Sequence, residues 1–122
     1  MIKVNNFDLD NTIDILLYKY KSSVDVCLSN IKRTLSCQLL NYNIFRVQQQ
    51  FNNNFYLFYN NIWQCDSTEI LEKEKLFYNK IKEFDKYIQS NLDEITYNIV
   101  LKDLNTIKTK TETFIKKLTV YL

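Results

Sequence analysis

The chain has 122 residues, 16 basic and 14 acidic side chains and a formal net charge of +2, a size that suits one domain burying roughly two thirds of its unfolded surface. It has no Gly, Pro, His or Ala, so its 46% of hydrophobic residues are bulky ones. A phosphate-cradling loop needs Gly and the usual Ser-His or metal-His site needs an imidazole, so both are excluded.

In chain order, Leu9, Ile13, Leu16, Tyr20, Val24, Cys27, Ile31 and Leu35 recur at the steps of three and four that line one face of an α-helix, with Asp8 placed to cap it. Leu40, Ile44, Val47, Phe51, Phe55, Phe58 and Ile62 keep that period with a shifted phase, which predicts a bend or turn near Thr34 to Gln38. Asp66 followed by Glu69 reads as a capping box that opens a third helix, whose stripe runs Ile70, Phe77, Ile81, Phe84, Ile88, Leu92, Ile95 and Ile99. Its charged pairs, Glu69 with Lys73, Glu72 with Lys75 and Glu83 with Lys86, fall on the solvated side. The phase shifts again near Val100, and Leu104, Ile107, Phe114, Leu118 and Tyr121 continue as a fourth helix, with Ser90-Asn91 and Glu94 as its expected cap. The alternation Thr109, Thr111, Thr113, Ile115 also fits a strand, because β-branched residues suit a pleated surface.

The expected architecture is all-α: an antiparallel four-helix bundle over 1–122 as one helical domain, with helices at about 8–34, 38–64, 67–90 and 92–120. The alternative is a long two-helix hairpin, residues 8 to 64 and 67 to 121, that oligomerises as a coiled coil to cover its stripe; without Gly or Pro, nothing compels either phase shift to be a turn.

Bulk properties name no ligand. Cys27, Cys37 and Cys65 are odd in number and lack metal-ligand spacing, which predicts free, buried thiols in a reducing compartment, no metal and no cofactor. The opening Met1-Ile2-Lys3-Val4-Asn5-Asn6 lacks the apolar stretch of a secretory signal, and no run is long enough for a spanning helix, so the expected location is intracellular, in cytoplasm or nucleus, without membrane insertion. Near-neutral charge gives no field to gather nucleic acid, and Lys108, Lys110, Lys116 and Lys117 read as a solvated face. The crowding of Asn, Lys, Ile, Tyr and Phe at the expense of Gly, Pro and Ala points to an AT-rich coding genome.

Phe7-Asp8-Leu9-Asp10-Asn11-Thr12-Ile13 resembles the Asp-x-Asp-x-Thr signature of haloacid-dehalogenase-like phosphohydrolases. That resemblance implies a nucleophile at Asp8, an acid/base at Asp10 and a Rossmann-like parallel sheet. The chain departs from the family in its two Asn upstream of the motif and in lacking the later Gly-containing metal motif. Acidic residues favoured by the dipole at a helix N-terminus account for the same letters, and the expectation is no enzyme and no catalytic residue.

One contrast survives the codon bias. Between Thr34 and Cys65 the sole charged residue is Arg46, the polar positions are amides, and the side away from the core stripe bears Tyr42, Phe45, Tyr56, Tyr59 and Trp63. Interface cores are poor in charge and rich in Tyr, Trp and Phe. Those five residues are the expected partner-binding set of a non-enzymatic scaffold or adaptor subunit that binds another helical protein or itself. The alternative is a virus- or parasite-encoded regulator that captures a host helix in a groove; central burial of the same rings is the structural alternative to either.

Overall fold

The computed structural model describes the backbone of residues 7–35, 38–61 and 67–121, and the side-chain surroundings of 15–35, 42–55 and 71–120. Four helices follow one another: α1 (Phe7–Thr34), α2 (Gln38–Asn61), α3 (Ser67–Asn91) and α4 (Glu94–Tyr121). Each packs on its chain neighbours and α1 closes the ring against α4, while α1 with α3 and α2 with α4 stay diagonal. This is the antiparallel four-helix bundle, and the breaks after α1 and α3 exclude the two-helix hairpin.

The core follows the stripes closely on the first two helices. Leu17, Tyr20, Val24, Cys27, Leu28, Ile31 and Leu35 are buried from α1 and its end, and Ile44, Val47, Phe51 and Phe55 from α2. Phe77, Ile81, Phe84 and Ile88 fill the α3 side, and Val100, Leu104, Ile107, Phe114 and Leu118 the α4 side. Aromatic rings bind the middle of this core together: Tyr20 stacks on Phe114 at 4.2 Å between centroids, meets Phe51 edge-on at 5.5 Å, and Phe51 lies 5.0 Å from Phe77.

Helix ends explain where the expected stripes fail. A chain without Gly lacks the residue that most readily ends a helix in a left-handed turn, and no described residue has positive φ. Side chains near the helix ends add bonds to carbonyls one turn back: Asn91 Nδ2 donates to Tyr87 O at 2.7 Å, Ser90 Oγ to Lys86 O at 3.3 Å, and Thr34 Oγ1 to Asn30 O at 3.0 Å. Ser90 and Asn91 are the last two residues of α3 and do not open α4. The N-cap of α4 is Asp93, whose Oδ1 accepts the Thr96 N–H at 2.7 Å while Oδ2 accepts the Thr96 hydroxyl at 3.1 Å.

This turn at Leu92 and Asp93 corrects the third stripe. Ile95 and Ile99 follow Leu92 at helical steps in the sequence, but they stand on the outside of α4, 76% and 53% exposed. The shift of phase thus lies at Asp93, one turn and more before Val100. Thr109 to Ile115 is helical throughout, so the strand reading is overturned, with Thr111 buried, Thr109 and Thr113 exposed and Ile115 half-buried. Asp8 already lies inside α1 rather than ahead of it, and the Phe7–Ile13 segment is helix from its first residue, so the sheet implied by the phosphohydrolase resemblance is not the fold. Asp66 lies outside the described residues.

Candidate interaction face and the buried polar layer

Helix α2 exposes a stripe that begins aromatic and becomes amide. Tyr42 and Phe45 are 56% and 44% exposed, Arg46 is exposed beside them, and Gln49 and Asn53 continue the same face at helical steps. The other side of α2 carries the core residues Ile44, Val47 and Phe51, so a helix of this period leaves Tyr42 and Phe45 no place inside the bundle. Lys32 of α1 sits with its ammonium 6.0 Å from the centre of the Phe45 ring, which flanks the face with a cation. Tyr56 and Tyr59 belong to α2, but their side chains, like Trp63, lie outside the described residues.

Between α2 and α3 runs a groove of about 310 Å³ lined by Asn43, Arg46, Val47, Lys80, Glu83, Phe84 and Tyr87. Lys80 and Glu83 form an exposed i,i+3 ion pair at 3.5 Å on its far bank. Lys108 is not part of a solvated basic face: its ammonium, half-buried, pairs with Asp85 of α3, and the same carboxylate accepts the Tyr97 hydroxyl at 2.5 Å. Among the described residues no group of acids and cysteines is disposed to hold a metal ion, and no helix is long and apolar enough to cross a membrane.

A second feature lies inside the bundle, and every helix supplies one residue to it. Glu74 of α3 is wholly buried, 0% exposed, and its Oε2 accepts the hydroxyl of Tyr20 from α1 at 2.5 Å. The Tyr20 oxygen lies 2.8 Å from Thr111 Oγ1 of α4, and Asn54 Nδ2 of α2 donates to Lys73 O at 2.9 Å and to Glu74 Oε1 at 3.4 Å. Burial pushes the Glu74 carboxyl up to about 7, against the opposing pull of the Tyr20 and Asn54 hydrogen bonds. Burial, reinforced by the nearby Glu74 carboxylate, holds the Tyr20 phenol well above its ordinary value, so it stays protonated.

Periodicity alone passes over this layer, although a signal for it exists. The α3 stripe jumps from Ile70 to Phe77 and the α4 stripe from Ile107 to Phe114, two helical turns in each case, and the core phase in each gap falls on a polar residue, Glu74 and Thr111. Nearby, the Cys27 thiol is buried beside Asp103, and burial together with that carboxylate raises it to about 11. Compared with protein-family models, with curated proteins and with solved structures, the chain matches none.

Proposed function

We propose that this chain is a non-enzymatic helical interaction subunit, a scaffold or adaptor that docks on another helical protein or on a second copy of itself through the outer face of α2. The observation that carries the reading is the exposure of Tyr42 and Phe45 on a helix whose one charged residue is Arg46. Burying such a face costs little desolvation of charge, while each ring offers a large contact area that is ordered at small entropic cost. The groove between α2 and α3, about 310 Å³, falls at the small end of the range for ligand pockets and is too small to hold a whole helix, which favours docking on the face over capture in a cleft. The buried, unbridged Cys27 is compatible with a reducing compartment, the intracellular setting that this reading assigns.

Light scattering after gel filtration, run on the full chain over a range of concentrations, tests the self-association arm. The double substitution Tyr42→Glu/Phe45→Glu should abolish dimers without lowering the melting temperature. For a monomeric chain, the same pair of proteins serves in affinity capture from the native cell: a partner retained equally by wild type and variant would defeat the assignment of this face. Trp63 supplies a further readout, with red-shifted emission expected from the isolated chain and a blue shift when the partner is added.

A further inference from the structure

We propose that Tyr20, Asn54, Glu74 and Thr111 form a proton-operated lock, which ties the four helices while Glu74 carries a proton and loosens the bundle when that proton leaves for solvent. The geometry serves the closed, neutral state fully. With Glu74 protonated on Oε2, its O–H donates to the Tyr20 oxygen and Tyr20 turns its own proton to Thr111 Oγ1, an exchange that the 2.5 and 2.8 Å distances accommodate without movement of heavy atoms. Asn54 donates to Oε1 in either state. With Glu74 ionised, the chain of donors reverses, from Thr111 to Tyr20 to Glu74, and a negative charge then sits in the core.

No described cation touches that charge. From α1 the facing titratable group is Tyr20, and Lys21 of the same helix lies over the Phe51 and Phe55 rings and pairs with Asp25 at 2.6 Å. Helix α2 presents the neutral Asn54, and α4 presents Thr111, whose charged neighbours Lys110 and Glu112 are exposed, with Glu112 held by Tyr78 of α3. On α3 itself Lys73 and Lys75 are exposed, and Lys73 enters the layer through its carbonyl alone. A buried carboxylate with hydrogen bonds but no counter-ion is costly, so the folded bundle binds the proton more tightly than the unfolded chain does. The lock operates with or without a partner on α2.

The sign follows from linkage. The carboxyl is raised from 4.5 in the open chain to about 7 in the bundle, so the stabilisation is complete below pH 4.5 and is lost as pH rises through 7. Between pH 5 and pH 8.5 the folding equilibrium constant should fall on the order of a hundredfold. The chain has no His, so no imidazole titrates in that window, and the α-amino group, which does titrate near it, is unchanged in a Glu74 variant.

Urea unfolding of the full chain at intervals from pH 5 to pH 8.5 is the test, with Glu74→Gln as comparison. The wild-type midpoint should drop steadily across the range while that of Glu74→Gln stays nearly level. A level wild-type profile, or an equal slope in both proteins, overturns the lock. Should Glu74→Gln not fold, ¹³C-glutamate labelling of the wild type decides: one side-chain carboxyl must titrate near pH 7, and titration of all of them below about pH 5 overturns the proposal.

Discussion

The Tyr20 hydroxyl on α1 donates to Glu74 Oε2 on α3 at 2.5 Å, across a diagonal that the two helix backbones themselves do not close. A phenol is long enough to cross the centre of the bundle, and the stack on Phe114 holds its ring in place for that reach. The bond therefore links helices whose backbones stand diagonal to one another.

Tyr20→Phe keeps the ring stack and removes the oxygen, leaving Glu74 and Thr111 each short of a partner. The expected loss is about 1–3 kcal/mol, the usual cost of stranding buried polar groups. Because the Tyr20 hydrogen bond lowers the Glu74 carboxyl, its removal raises that group further above 7 in the bundle. The stability lost with rising pH then becomes larger and levels off at higher pH than in the wild type, which paired urea titrations at pH 5 and pH 9 measure.

Phe51 meets the Tyr20 ring edge-on and lies against Phe77, so it is the hydrophobic wall of the same layer. Phe51→Ala should destabilise by about 3–5 kcal/mol through lost burial and the cavity left behind. Phe51→Leu, which refills most of that space, should recover more than half of the loss in a thermal melt.

Much of the bundle is legible in the letters because a helix that buries one side must repeat its apolar residues at steps of three and four. Val24, Cys27 and Ile31 on α1, and Ile44, Val47 and Phe51 on α2, are legible in this way. Ile95 and Ile99 mislead for a physical reason: Asp93 restarts the helix without Gly or Pro, so the apolar spacing runs through the turn unbroken while the helix direction reverses. Glu74 stands at the core phase of the α3 stripe, but a Glu between Lys73 and Lys75 carries no apolar signal of its burial. Its burial depends on partners from three other helices, which no local window contains. For the outer face of α2, the scarcity of charge is visible in the sequence.

Asp93 caps α4 at the surface through two bonds to Thr96, and those bonds hold its carboxyl below the ordinary aspartate value. Asp93→Ala should lower the melting temperature by a few degrees, whereas Asp93→Asn, which still accepts the N–H, should stay close to wild type. The charge-dependent part of the cap's contribution is present above the unfolded aspartate value and fades as pH falls through the lower folded value, so the gap between the wild-type and Ala proteins should narrow in acid.

Cys27 is buried beside Asp103 with its thiol pushed up to about 11, so little thiolate exists at pH 8. In a Cys37→Ser/Cys65→Ser background, a thiol reagent at pH 8 should label Cys27 on the timescale of unfolding and not faster. Rapid labelling of the folded chain would mean that the α1–α4 seam opens locally around Asp103.

Asp85 joins α3 to α4 twice, through the Tyr97 hydroxyl and the Lys108 ammonium. Asp85→Ala should cost about 1–2 kcal/mol, less than the loss of a fully buried partner, because Lys108 can turn toward water. The hydrogen bond to Asp85 is the main reason the Tyr97 phenol stands at about 12, with burial and the carboxylate's charge adding to it. That raised value stabilises the fold fully below pH 10 and is lost as pH rises through 12. Ultraviolet titration of phenolate absorbance should therefore show one tyrosine ionising at lower pH in Asp85→Ala than in the wild type, with the part of the shift due to burial remaining. An unchanged titration curve would mean that Tyr97 is held by something other than this carboxylate.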